Sequence, residues 1–345
     1  MCLSCNFVFR MCQHLHKQQT CTLKRKLWGR RKRRPLFNFT GIMQIKIATT
    51  LDRQIELLKE RGLSIGDEEK AKEILSDIGY YRLGFYWFPF EETYPKKKDR
   101  THKFKKGSRF EDAVRLYYFD NDLRALIVPY LHRIEINLRT NIIYNVSNDY
   151  AQNPTWFADP KIMTDKFIAE LPDRYDNLRK NEALRRHHNK YINDRYAPAW
   201  KTLEYMTFGE MLYLFDNLRK EEIKIKIASR YAIKNLEVFS NQMQSLRMLR
   251  NVCAHGHNLF DYRFSKSIKP GNIKGTTPEQ RNSVSGGLIL VSYMLGGISV
   301  NRQREFINKV RTLVSDVDFD DIRNIIGNIT AEPALKSKLG KGTAE

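Results

Sequence analysis

Charged residues set into the apolar faces of two amphipathic helices constrain this chain more than any other feature of its sequence. Leu131, Ile134, Leu138, Ile142 and Val146 recur at helical spacing and define one face of a helix that follows Pro129. Glu135 and Arg139 project into the same sector, one turn apart. A second helix is predicted over roughly Leu236–Ala254. On it, Leu236, Phe239, Met243, Leu246 and Cys253 fall within about 100° of one another, and Arg250 lies inside that arc. A guanidinium is almost never fully buried unless it is paired or used. The fold must therefore form a polar cluster in which Glu135 orients one arginine and a second cation is left for an anion. The alternative is a buried ion pair that sets helix register. Two arginines facing one glutamate favour the anion site, and phosphate is the expected anion.

The rest of the chain reads as mostly α. Leu51, Ile55 and Leu58 have helical spacing that ends at Gly62, and Asp67 can cap a helix carrying Ala71, Ile74, Leu75 and Ile78. Tyr80–Phe90 is a dense aromatic block that either fills the core or stacks unpaired bases. Glu91–Gly107 is a Lys-rich loop or short hairpin. A helix from about Phe110 turns Leu116, Phe119, Leu123 and Ile127 inward, and Pro129 opens or kinks its continuation to about Tyr150. Trp156–Asp194 is charged and weakly periodic. Helices are expected at Ala199–Leu218, interrupted near Thr207-Phe208-Gly209, and at Glu221–Tyr231. Beyond the Ser265–Asn282 loop, helices are expected near Leu288–Leu295, Arg302–Val314 and Phe319–Ile329. The uncharged stretch Asn282–Asn301 reads as a buried helix, because its solid apolar run falls far short of the ~20 residues that span a bilayer. No membrane partner is expected. Four regions follow: a basic extension at 1–42, a helical and aromatic region at 43–107, a core at 108–264, and a loop with C-terminal helices at 265–345.

Residues 1–42 carry ten Lys or Arg and no Asp or Glu; the other 303 residues keep 50 basic against 39 acidic, an excess of 11. A globular body with that excess favours an anionic partner, and nucleic acid is the expected one. Lys103 and Lys105, together with Tyr81, Arg82 and Trp87 of the aromatic block, are candidate RNA-binding residues. Four of the five cysteines lie in the first 21 residues, leaving only Cys253 beyond, which suits a reducing cytoplasm. Cys2, Cys5, Cys12, His14, His16 and Cys21 offer zinc ligands in principle, but the Cys2/Cys5 pair sits at the chain terminus with no turn chemistry around it, so zinc is the last of three readings of this extension. The extension is read as dispensable or as upstream sequence from an early start, with a nucleic-acid arm as the next reading.

Arg250-Asn251-Val252-Cys253-Ala254-His255 ends the second amphipathic helix. Five residues turn about 140° on an ideal helix, so Arg250 and His255 do not share a face. Gly256 follows at a natural stop, which frees His255 or lets it meet a second subunit. Alternatively, His255 only complements the helix dipole. An arginine and a histidine suffice for metal-independent RNA cleavage. The 2′-hydroxyl is an internal nucleophile already beside its phosphate. Histidine can take or give the proton, typically for ~10²–10⁴ in rate, and arginine can hold the non-bridging oxygens. Asn251 could orient either group. No acidic cluster suited to Mg²⁺ and no Gly-rich phosphate loop is present, so neither metal nor cofactor is expected.

At this level of detail the chain resembles the Abi (abortive infection) proteins with a HEPN-like domain, over nearly all of Met43–Ile329. The resemblance rests on "IGYYRLGFYWFPF" at Ile78–Phe90, "F..G..FEDAVRLYYFDNDLRALI" across Phe104–Ile127 and "HRIEINLRTNIIY" at His132–Tyr144. "W..LEYMTFGEM" at Trp200–Met211 and "LRNVCAHGHNLF" at Leu249–Phe260 complete it. It implies a HEPN-like helical bundle with additional N- and C-terminal helices, phage defence by growth arrest, and RNA cleavage. Arg250, Asn251 and His255 become the catalytic positions, with Glu135 and Arg139 in support. A single motif per chain implies a homodimer, since HEPN sites often combine two protomers. A small non-coding RNA is an implied partner. The competing readings are a non-catalytic RNA-binding component of a ribonucleoprotein and an interaction protein aimed at a phage component.

Overall fold

A computed structural model describes residues 47–315, except Asn272 and Lys274. Among these residues the chain is mostly helical and forms no β-strand, only isolated bridges. The helix predicted near Phe319–Ile329 and the candidate roles of residues 1–42 lie outside the described residues.

Side-chain caps set the first helices. Thr50 accepts the Arg53 N–H at 3.3 Å at the start of α1 (Leu51–Glu60), and Asp67 accepts the Lys70 N–H at 3.0 Å at the start of α2 (Glu68–Ile78). Gly79, at φ +90°, turns the chain directly into α3 (Tyr80–Trp87). Between Glu91 and Phe104 the loop makes one antiparallel bridge, which is the short hairpin end of the expectation.

The central element is α4 (Phe110–Asp149), 40 residues long and unbroken at Pro129. Proline there removes the N–H that would meet the Ala125 carbonyl, and the predicted boundary rested on that loss. Packing overrides it: Leu123, Ile127, Leu131, Ile134, Leu138, Ile142 and Val146 are all fully buried across the proline. Each such burial contributes about 1.5–3 kcal/mol, so the sum on both sides outweighs one missing hydrogen bond.

The weakly periodic stretch contains two helices, α5 (Asp165–Leu178) and α6 (Glu182–Lys190), the first burying Phe167, Leu171, Tyr175 and Leu178. The predicted interruption near Thr207 is real. After the short α7 (Ala199–Thr202) and a 3₁₀ turn, Thr207 and Glu210 form a capping box that starts α8 (Phe208–Asp216). Then come α9 (Glu221–Ser229) and α10 (Leu236–Ala254), the latter over the predicted span. Four residues of the expected loop form α11 (Pro278–Arg281). α12 (Val284–Ile298) is apolar almost all round and packs against α4, α10, α11 and α13 (Val300–Ser315). No helix among the described residues is long and apolar enough to cross a membrane.

α10 lies along α4 in the opposite direction: Arg250 meets Glu135, whereas the residues after α10 meet Arg124 and Asp120.

Candidate functional site

The polar cluster forms where the sequence places it. Glu135, on α4, holds its Oε1 3.4 Å from Nη2 of Arg139 and its Oε2 3.6 Å from Nε of Arg250 on α10. Arg139 is further engaged: its Nη2 donates to the Met206 carbonyl at 2.8 Å, and its Nη1 lies 3.7 Å from Glu204 Oε1. Arg139 is thus a buried structural cation, and Glu204 is a second carboxylate that the helical wheel did not count. Arg250 is the available one. Its side chain is 30% exposed, against 9% and 10% for Glu135 and Arg139, and its Nη1 lies 3.4 Å from the Asn251 Oδ1. The Arg250 Nε and the facing Glu135 Oε2 have no hydrogen-bond partner. A guanidinium held by one edge keeps its outer N–H groups for an oxyanion.

His255 caps the C-terminus of α10 and is exposed. It lines a groove of about 230 Å³ with Tyr81, Arg82, Phe85, Tyr86, Gly256, His257 and Asn258. The aromatic block therefore splits between the groove and the core. Tyr81, 83% exposed, and Phe85 present rings to the groove, packed edge-to-face with centroids 5.5 Å apart. Arg82 donates to the Gly256 carbonyl at 2.8 Å. Trp87 does not join them: it is buried against Tyr80 and offers no free face to a base, so the RNA-binding expectation fails for it. Lys103 and Lys105 are exposed, but neither lines the groove, and the Lys105 ammonium donates to the Pro89 carbonyl at 2.9 Å. Arg250 is not among the residues that line this groove.

A buried staple, missed in the sequence, positions the groove. Asp120, fully buried on α4, accepts the Phe260 N–H at 2.7 Å, the Leu259 N–H at 3.0 Å and the Tyr86 hydroxyl at 2.8 Å. It also pairs with Arg124, whose Nη1 donates to the His257 carbonyl at 3.0 Å. The i,i+4 placement of Asp120 and Arg124 beside Phe119 and Leu123 is the same anomaly that exposed Glu135 and Arg139.

Cys253 sits beneath this staple. Burial pushes its thiol up to about 12, outweighing the opposing pull of Arg124, so it is no thiolate nucleophile at neutral pH. Among the described residues, no group of three or more His, Cys, Asp or Glu could hold a metal ion.

A model of the Abi-like protein family matches residues 73–261, which span the aromatic block, α4, α10 and the His255 groove. Comparison with curated proteins and with solved structures gives no match.

Proposed function

This chain belongs to the Abi-like protein family, whose members act in abortive-infection defence against phage, and on that premise we propose that it is a metal-independent endoribonuclease of the HEPN type. The observation that carries the reading is Arg250: a partly exposed guanidinium held by one edge on buried Glu135, five residues before an exposed histidine at the end of the same helix. The imidazole of His255 exchanges the proton of the attacking 2′-hydroxyl or of the leaving oxygen. Arg250 offsets charge on the non-bridging oxygens, Asn251 orients it, and Glu135 with Arg139 fixes its reach. Five residues turn about 140° on a helix and the chain carries one such motif, so the reading calls for a homodimer in which one protomer's arginine meets its partner's histidine. The substrate is host or phage RNA.

The test is cleavage of single-stranded RNA by the purified protein in EDTA. Wild type cuts RNA and leaves DNA of the same sequence intact, because DNA lacks the nucleophile. Arg250→Ala and His255→Ala each lose about 10²-fold or more. Cleavage that survives both substitutions unchanged refutes the reading.

A second reading is favoured by Tyr81, Phe85 and Arg82 at the groove mouth: a non-catalytic RNA-binding component of a defence ribonucleoprotein with a small non-coding RNA partner. It predicts salt-sensitive RNA co-purification and phage resistance that His255→Ala leaves intact.

A further inference from the structure

The groove holds two imidazoles, and only one belongs to the motif. His255 and His257 flank Gly256, and their ring centroids lie 6.2 Å apart. Gly256 takes φ +64°, a left-handed conformation that turns the chain so that both neighbours line the same groove. Among the described residues, neither ring has a hydrogen-bond partner.

The backbone that carries these rings is, by contrast, held at several points. The His257 N–H donates to the Val252 carbonyl at 3.1 Å, and its carbonyl accepts from Arg124 at 3.0 Å. The Gly256 carbonyl accepts from Arg82 at 2.8 Å, and Asp120 takes the N–H groups of Leu259 and Phe260. Five contacts fix the main chain and leave both imidazoles open to a ligand, an arrangement that satisfying the loop's own polar groups does not require.

We propose that His257 is a catalytic residue, the second proton-transfer group of the RNA-cleavage site, acting with His255 of the same chain. The inference rests on the nuclease reading. Transesterification at an RNA phosphodiester moves two protons, one off the attacking 2′-oxygen and one onto the leaving 5′-oxygen. One neutral imidazole takes the 2′-hydroxyl proton as the O2′–P bond forms. The P–O5′ bond breaks, its electron pair goes to O5′, and the other imidazole, protonated, supplies the proton. The products are a 2′,3′-cyclic phosphate and a 5′-hydroxyl, and the two histidines have exchanged protonation states. Each transfer needs a hydrogen bond of about 2.6–3.2 Å, and two rings with centroids 6.2 Å apart on one groove can approach the O2′ and O5′ of one phosphodiester from the same side. Tyr81 and Phe85, at the mouth of the same groove, give an adjoining base a surface to stack on. The other titratable or charged groups at the groove are Arg82, Tyr81 and Tyr86, with Arg124 and Asp120 beneath the loop.

The test compares wild type, His255→Ala and His257→Ala, as full chains, on an RNA oligonucleotide in EDTA across pH 5–9. His257→Ala is expected to fall about 10²-fold or more, with an unchanged urea midpoint, and the bell-shaped pH profile of wild type to lose one limb. An oligonucleotide with sulfur as the leaving atom needs no acid, and it is expected to restore one of the two variants and not the other. A His257→Ala rate within threefold of wild type, with both limbs kept, overturns the proposal while leaving the nuclease reading in place. Restoration of neither variant by the sulfur substrate also overturns it. A wild type that cuts no RNA removes the nuclease reading itself. Should His257→Ala unfold, His257→Gln keeps a polar side chain at the site, and the same two outcomes decide.

Discussion

The Asp120 carboxylate accepts the Phe260 N–H at 2.7 Å, joining positions 140 residues apart. Nothing about this contact is local in sequence, yet it sets where the chain goes after α10 and so where His255 and His257 sit.

Removing that carboxylate leaves the buried Arg124 guanidinium without its partner and two loop N–H groups unsatisfied. Asp120→Ala is expected to lower stability by about 3–5 kcal/mol, and Asp120→Asn, which keeps one acceptor oxygen, by less. Urea denaturation followed by circular dichroism measures both. Equal midpoints for wild type and Asp120→Ala would sink the staple.

Glu135 holds Arg139 and Arg250 together from 3.4 and 3.6 Å. Glu135→Gln keeps the shape and removes the charge between two cations. It is expected to cost about 1–3 kcal/mol of stability and to reduce RNA cleavage by freeing the reach of Arg250. A wild-type cleavage rate in a folded Glu135→Gln protein would show that Arg250 needs no such hold.

His188 is buried, with its Nε2 2.8 Å from the Tyr175 hydroxyl. Burial first, then Arg179 and His187, lower its pKa below the ordinary 6.5. The folded state therefore binds fewer protons than the unfolded state between the two values. The stability contributed by neutral His188 is complete above about pH 6.5 and is lost as pH falls through the folded value. Urea midpoints at pH 7.5 and 5.5 are expected to differ less in His188→Gln than in wild type; an identical drop in both rules the group out.

Gly286 reverses an ordinary rule. Alanine in a helix interior usually gains about 1 kcal/mol over glycine. Here a Cβ would overlap the Gln280 carbonyl oxygen and lie 2.8 Å from the Arg281 Cα, both main-chain atoms of α11. Gly286→Ala is expected to cost about 1–3 kcal/mol through forced displacement. A thermal midpoint raised by the substitution would contradict this close approach of α11 to α12.

What the sequence made legible follows from how far each feature depends on its neighbours in the chain. α10 was readable over its full span because its period is strong and Asn235 caps it, accepting the Val238 N–H at 2.9 Å. Glu135, Arg139 and Arg250 were readable because a charge inside an apolar arc needs only one helix to be noticed. Asp120 and Arg124 met the same criterion and were passed over, since their partners, the amides of 259 and 260 and the carbonyl of 257, carry no side-chain signal. The second carboxylate on Arg139, Glu204, belongs to a 3₁₀ turn and has no helical period to betray it. In α5 the spacing of Phe167, Leu171, Tyr175 and Leu178 is helical, but Pro172 and the surrounding charges obscured it. Trp87 was misread because an aromatic run shows the period of its rings and not which of them has a neighbour above it.

α4 grips the segment from Arg250 to His257 twice, through Arg124 at His257 and through Glu135 at Arg250. At 1.5 Å per residue those two grips are spaced roughly 16 Å apart on a single rod. Pro129 lies between them, at the one rung of the rod that lacks its N–H. The length of rod between the two grips is therefore held at that rung by side-chain packing and not by a main-chain hydrogen bond.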